Sequence, residues 1–230
     1  VLVYRGRNVV QAAHQERLNA IESLSQRAAS REERREQLIK VAACIVEFEG
    51  IDALKHVRIA ELAGCGRPLV YSYFPQKSDI YLAISESFYQ RLEQQFSCED
   101  QYLAVQGALS GDGTMSSNME ALIWDVIDEY GCAGLILRCV PEINEDFRAY
   151  HDELKSRYEY RWLRYFLELG LNDLAAKLLL DNCTAITKNF ALAYVRGELS
   201  RSDSLQHVLG SMGSLIKHTI KHHSEQGRGL

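Results

Sequence analysis

Along most of the 230-residue chain apolar residues recur at intervals of three and four, and strict alternation is nearly absent. That period predicts helices throughout and an all-α fold. Ser30-Arg31-Glu32-Glu33 has the form of a capping box, so a helix starts there and runs to Gly50. Its apolar positions Leu38, Val41, Ala42, Ile45 and Phe48 make one buried stripe, and Gly50 suits the left-handed residue that ends it. A second box, Ser117 to Glu120, opens a helix near 118–130. Pro141 suits the first turn of a long helix to Gly170, Asn172 and Asp173 restart the chain toward Gly197, and a last helix covers about 202–223. The polar run Ser110-Gly111-Asp112-Gly113-Thr114 reads as a loop between two of these helices. Near the start, Leu18, Ile21, Leu24 and Ala28 form a narrow stripe, which predicts a helix lying against the body or a partner.

The stretch 51–80 breaks the long-helix pattern. Val57-Arg58-Ile59-Ala60-Glu61-Leu62-Ala63 makes a short helix, Gly64-Cys65-Gly66 a turn, and Arg67-Pro68-Leu69-Val70-Tyr71-Ser72-Tyr73 a second short helix that ends at Phe74-Pro75. Two short helices about a Gly-containing turn are the helix-turn-helix arrangement. Ala60 is small where the helices cross, Gly64 supplies a positive φ where the chain reverses, and Val70 turns inward onto Ile59 and Ala63. Arg67, Leu69, Tyr71, Ser72 and Tyr73 then remain outward, a set of donor, methyl-contacting and aromatic groups suited to base edges and phosphates. Lys77, with the free N–H groups of the helix it begins, could clasp one phosphate. A helical hairpin that only fills a core would carry the same small, Gly and aliphatic positions, but packing alone gives no reason for two outward tyrosines.

Gly50-Ile51, Ile59-Ala60-Glu61-Leu62-Ala63-Gly64 and Val70-Tyr71-Ser72-Tyr73-Phe74-Pro75-Gln76-Lys77 together resemble the DNA-binding domain of the TetR-type transcriptional regulators. The resemblance covers about residues 31–96, and the spacing from Ile59 to Lys77 is matched without a gap. It implies three N-terminal DNA-binding helices, a connecting helix near 77–96, and a larger helical domain that dimerises and binds a small-molecule inducer. Residue by residue, it places Arg67, Pro68, Leu69 and Ser72 near base edges and Tyr71, Tyr73 and Lys77 on phosphates. Three positions depart from the family pattern. Lys55 or His56 stands where a hydroxyl usually caps the first helix of the motif, though both could touch phosphate; Gly66 replaces the usual Ser, and Cys65 the usual Val. Cys65 reads as a small half-buried hydrophobe.

The domain boundaries that follow are an extension at 1–30, a helix-turn-helix domain at 31–78 and a ligand-binding and dimerisation domain at 79–230. In the extension Arg5, Arg7, Arg17 and Arg27 outnumber Glu16 and Glu22, which leaves open an arm along the DNA backbone or a solvated tail. In the larger domain, Leu174, Leu178, Leu180, Ile186 and Phe190 wrap more than one side of a helix, so it needs two burial partners. One is its own domain. The other, together with the Leu205, Leu209, Met212, Ile216 and Ile220 stripe of the last helix, is a second copy of the chain, giving a homodimer and a palindromic operator. An inducer pocket is expected among these helices, with Met119, Trp124, Tyr158 and Trp162 as its candidate lining. His218 and His222 have metal-ligand spacing without a third ligand and read as solvated helix-terminal histidines, so no metal or cofactor is expected.

Composition sharpens this in one respect. The formal charge of −5 argues against a wholly basic nucleic-acid binder, but residues 1–78 carry 12 Lys+Arg and 9 Asp+Glu while residues 79–230 carry 14 and 22. The N-terminal part is mildly basic and the acidic excess belongs to the rest. Six cysteines without C-x-x-C spacing read as reduced thiols, and no run is apolar enough for a membrane span, so a cytoplasmic protein is expected. No G-x-S-x-G, P-loop, Rossmann glycine pattern or H-E-x-x-H is present, and Asp125, Asp128 and Glu129 read as a solvated face, which weighs against an enzyme. The expected function is a ligand-responsive repressor, with an inducer-independent architectural or cell-cycle DNA-binding protein as the alternative and an all-α enzyme behind both.

Overall fold

A computed structural model describes residues 2–25, 30–95, 117–138 and 145–226. Its helices are α1 (Leu2–Ser25), α2 (Arg31–Phe48), α3 (His56–Leu62), α4 (Arg67–Tyr73), α5 (Lys77–Gln95), α6 (Ser117–Tyr130), α7 (Ala133–Arg138), α8 (Glu145–Glu168), α9 (Asp173–Val195) and α10 (Arg201–Gln226), with a single 3₁₀ turn at Ile51–Ala53. No strand occurs among the described residues. The fold is all-α, as the periodicity predicts.

The capping box at Ser30 forms in both directions: the Glu33 amide donates to Ser30 Oγ (3.1 Å) and the Ser30 amide to Glu33 Oε2 (2.9 Å). Gly50 takes φ +91°, ending the helix as expected. The helix itself differs from the one-stripe reading, because every residue from Gln37 to Glu47 except the half-buried Lys40 is buried. α2 is wrapped on several sides by α1, α3, α5 and α7. A short helix at 133–138 was not anticipated from the sequence, which runs from the 118–130 helix straight to Pro141. Gly131 breaks α6 with φ +78°, and the apolar run Ala133-Gly134-Leu135-Ile136-Leu137 then forms one buried turn and a half. Pro141 and the loop at 110–114 lie outside the described residues.

Buried side chains form two clusters. One joins α2, α3 and α4 with Ile80, Tyr81, Ala83 and Ile84 of α5, and takes in Ile21, Ala133 and Leu137. The other gathers Phe88, Tyr89 and Leu92 of α5 with Trp124, Trp162, Phe166 and the inner faces of α9 and α10. α5 therefore runs through both, and the division between the cores falls inside this helix, between Ile84 and Phe88.

The N-terminal extension is packed rather than solvated. Ile21 is buried, the ring of His14 lies flat on Phe48 (centroids 4.7 Å apart), and a Cβ at Gly197 would stand 3.2 Å from Val9 Cγ1. α1 thus lies across α2 and the end of α9. No helix among the described residues is long and apolar enough to cross a membrane.

Candidate functional site

α3 and α4 build the helix-turn-helix as the residue pattern requires. Ile59, Ala60 and Val70 are buried between them, and the chain reverses at Gly64, whose φ of +60° an L side chain rarely adopts. The Cys65 amide donates to Ala60 O (3.0 Å), closing the turn. Neither N-cap supplies a side-chain hydrogen bond: Lys55 caps α3 and Gly66 caps α4 without one. α3 is held instead by Arg58, whose guanidinium grips both carboxylate oxygens of Glu49 (2.8 and 2.9 Å) beyond the end of α2.

On α4, Arg67, Pro68, Leu69, Tyr71 and Ser72 are exposed around the buried Val70. Tyr71 is 49% exposed, a large aromatic presented to solvent. Ser72 turns its hydroxyl back to Leu69 O (2.7 Å), so its lone pairs rather than its proton face outward. Tyr73 is half-buried and Lys77, also half-buried, holds its ammonium over the Tyr81 ring at 5.3 Å. One N–H at the start of α5 is already taken, because the Gln76 amide donates to Asp79 Oδ2 (2.7 Å). Lys55 is exposed.

His56 is placed differently from the phosphate contact expected of it. It is buried, its Nε2 lies 2.8 Å from Phe74 O, and its ring stacks on Tyr71 at 4.1 Å and 4°. A carbonyl only accepts, so Nε2 carries the proton and donates. His56 therefore ties the start of α3 to the end of α4 and holds the Tyr71 ring in one orientation. Two cations that the motif does not name flank the same surface: Arg31 lies 5.8 Å over the Tyr73 ring and Arg35 5.8 Å over Phe74. Both come from the first turns of α2, so only the folded chain brings them beside α4.

A second feature lies in the other core. A cavity of about 70 Å³ is walled mainly by apolar side chains of α5, α6, α8, α9 and α10, including Phe88, Trp124, Trp162, Phe166 and Ile216. Two of the four expected lining residues, Trp124 and Trp162, are on its wall; the side chains of Met119 and Tyr158 lie outside the described residues. Leu209, Met212 and Ile216 of the last helix also line it, so that stripe is used within the subunit. Asp125, Asp128 and Glu129 are exposed, as expected of a solvated face, and carry surface ion pairs: Arg201 meets Asp125 (2.6 Å) and Asp128 (3.2 Å), and Arg91 meets Glu129 (3.2 Å).

Between the two cores sits a buried carboxylate that the sequence reading passed over. Glu47 is fully buried, and its Oε1 accepts from the amides of Cys132 (2.5 Å) and Ala133 (3.0 Å) at the start of α7. Arg17 Nε of α1 lies 3.6 Å from Oε2, and Arg196 at the end of α9 donates twice to the Glu47 backbone carbonyl (2.7 and 2.9 Å). Burial pushes the Glu47 carboxyl above its ordinary range, opposed by Arg17 and the two amides. Arg17 is held up by the Glu47 charge against its own burial. Glu47 is completely buried, whereas Arg17 keeps 22% of its side chain in solvent. Gly131 makes the approach feasible, since a Cβ there would land on Glu47 Oε1. Nothing local marks Glu47, whose partners stand 30 residues before it and 85 after.

Each of the described cysteines sits where its thiolate is disfavoured. Burial pushes Cys44 and Cys183 up to about 12, Cys132 well up, and Cys65 up as well, opposed only by the charge of Arg34. Among the described residues no three His, Cys, Asp or Glu converge on a metal site, and His218 and His222 meet only edge to face at 6.1 Å.

No protein-family model and no curated protein matches the chain. The chain is similar in structure to a TetR-family transcriptional regulator from Streptomyces coelicolor, whose crystal structure aligns over 86% of this chain and 87% of that one with a TM-score of 0.53 and 23% identity. That likeness establishes the fold: a helix-turn-helix-bearing N-terminal part and a larger helical body in the arrangement of that regulator.

Proposed function

We propose that the chain is a DNA-binding transcriptional regulator, a repressor that binds a palindromic operator as a homodimer and is released by a small-molecule inducer. The observation that carries this is the exposed face of α4, where Arg67, Leu69, Tyr71 and Ser72 surround the buried Val70 in a helix held rigidly by His56 and the α3 turn. Side chains of those types on one short helix can read base edges, while Lys55, Lys77, Arg31 and Arg35 flank it to meet phosphates. In this reading residues 31–78 are the DNA-binding unit and residues 79–230 the ligand-binding and dimerising unit.

Dimerisation draws on α9 and α10. Leu174 and Leu178 of α9 are 68% and 53% exposed, one turn apart, and so lack a partner within the subunit. On α10 the outward face is small, with open space around Gly210 and Gly213, which favours close approach of a second backbone. The inducer occupies the cavity, and a population shift carries its effect: Phe88 and Leu92 of α5 line the cavity, while Ile80 and Ile84 of the same helix pack on the DNA-binding core.

Selection of bound DNA from a random pool tests the reading. Enrichment of an inverted repeat whose half-sites lie about 34–36 Å apart, or a multiple of that, is expected. Failure to enrich any sequence at low salt overturns it.

A further inference from the structure

We infer that α1 is a brace between the two cores, fixing the DNA-binding unit against the larger domain and thereby the half-site spacing that the proposed dimer accepts; this rests on the reading of the chain as a dimeric DNA-binding regulator. The inner stripe of α1 is Val10, Ala13, His14, Arg17, Leu18 and Ile21, spaced at three and four. Its two ends pack on different units. At the C-terminal end Ile21 is buried in the DNA-binding core, and Leu18 packs against that core. At the other end Val9 and Ala13 close on the turn after α9, where a Cβ at Gly197 would lie 3.2 Å from Val9 Cγ1 and 3.4 Å from Ala13 Cβ. Between them Arg17 reaches both units: its Nε lies 3.6 Å from Glu47 Oε2 of α2, and its Nη2 lies 3.5 Å from Ile127 O of α6. His14 stacks on Phe48 and stands 3.8 Å from the Glu49 carboxylate that grips Arg58, which extends the contact to α3 of the helix-turn-helix.

The side chains described on α1 weigh against an arm along DNA. From Val9 to Ile21 the exposed polar positions are Gln11, Gln15, Glu16 and Asn19, with no cation among them, and Arg17, the one arginine of this span, is turned toward Glu47. The mechanical effect follows from where the contacts fall. The links through α5 and Glu47 lie at the joint between the cores, where they act as a hinge. Val9 and Ile21 are twelve residues apart on α1, about 18 Å, so a brace anchored on either side of the joint opposes rocking about it. Lengthening an operator by one base pair displaces a half-site by about 3.4 Å and turns it by roughly 35°. Braced units cannot follow that change, whereas loose units follow it in part. Orientation fixed before binding therefore gives selectivity for spacing rather than for base identity.

Competition binding of the full chain to the selected operator, and to copies with the centre one base pair longer or shorter, tests the brace. The unaltered protein should prefer the selected spacing by about tenfold or more, the size of one lost base-pair match. Val9→Glu with Ala13→Glu sets two carboxylates against Gly197 and the neighbouring Glu198 and frees that end of α1. The preference should then fall to about threefold or less, with the ranking of base changes inside each half-site unaltered and the α1 amides less protected from hydrogen exchange. A second variant, Val9→Glu with Ala13→Cys and Gly197→Cys, brings together two Cβ positions 3.4 Å apart, close to the separation across a disulfide. Reduced, it should tolerate altered spacing; oxidised, it should regain the preference, so the same protein is its own control if the first variant fails to fold. Unchanged spacing preference after α1 loses protection, protection that survives both carboxylates, a base preference that shifts along with the spacing, or oxidation that restores nothing each overturns the inference. A native protein that enriches half-sites at no fixed spacing also overturns it and leaves a DNA-binding regulator standing. Enrichment of no sequence at all removes that reading and the brace with it.

Discussion

Replacing Glu47 with alanine strips the junction between the two cores of its acceptor. Two amides, of Cys132 and Ala133, lose their partner inside a region where both residues are buried. Each unsatisfied buried donor costs about 1–3 kcal/mol. Arg17 adds little, because its partly exposed guanidinium can turn to water. A total loss of about 3 kcal/mol is expected, which for a chain of this size lowers the melting temperature by about 6–12 °C. Glu47→Gln keeps a carbonyl oxygen for both amides and should cost only about 1 kcal/mol. The pH dependence has a definite sign. Since the folded carboxyl lies above its unfolded value, its contribution is fully present below the unfolded value and is lost as pH rises through the folded one. The advantage of the native protein over Glu47→Gln should therefore narrow as pH is raised above 4.5, the ordinary value. Thermal unfolding followed by circular dichroism measures the first effect, and hydrogen exchange of the Cys132 and Ala133 amides localises it. A fall of less than about 2 °C for Glu47→Ala, or equal falls for the two variants, would refute the reasoning, the scale being set by the same relation.

At the α4 surface, Lys77→Ala and Tyr71→Phe should weaken binding to all sequences alike, whereas Arg67→Ala should also relax base preference at one position; competition binding against mutated operators separates them. Arg31→Ala with Arg35→Ala should reduce the slope of log affinity against log salt by up to about two, measured by salt titration, and an unchanged slope would remove both from the interface. For the cysteines, alkylation of the native protein with iodoacetamide at pH 7.5 should leave Cys44, Cys132 and Cys183 unmodified by mass spectrometry. His14 is lowered by burial, so the stability it contributes is present above its ordinary value of 6.5 and lost as pH falls below it; the protection factors of α1 amides, with the intrinsic pH dependence of exchange divided out, should be lower at pH 5.5 than at 7.5, and His14→Gln should flatten that difference. Finally, Leu174→Asp with Leu178→Asp should yield monomers in sedimentation analysis without lowering the melting point of the subunit core.

The helix-turn-helix was readable in the sequence because its demands are local. Gly64 must take a positive φ, Ala60 must be small and Val70 must turn inward, and all three fall within eleven residues. Long helices were readable for the same reason, through caps such as Ser30 with Glu33. What escaped depends on distant partners. α2 looks amphipathic by its stripe, yet from Gln37 to Glu47 all but Lys40 are buried, because four other helices pack on it. His56 looks like a phosphate contact by position, but Phe74 O, 18 residues on, turns it inward. α7 is too short to show a period, and the carboxylate at its start comes from another helix. For the cavity, aromatic content pointed to Trp124 and Trp162, but no pattern distinguishes a lining ring from a core ring before the helices are assembled.

The continuity of α5 through both cores gives the molecule a lever. Phe88 at the cavity and Lys77 beside the helix-turn-helix are eleven residues apart on one helix, about 16 Å at 1.5 Å per residue. A tilt of about 5° pivoting near Phe88 then displaces the Lys77 end by about 1.4 Å, with no side chain near the cavity moving more than a fraction of that. In the symmetric dimer proposed above the two ends would move oppositely, and the half-site spacing would change by nearly 3 Å, close to the 3.4 Å step of one base pair. In the proposed dimer, an adjustment small enough for a cavity of this size would be large enough to put two recognition helices out of register with their grooves.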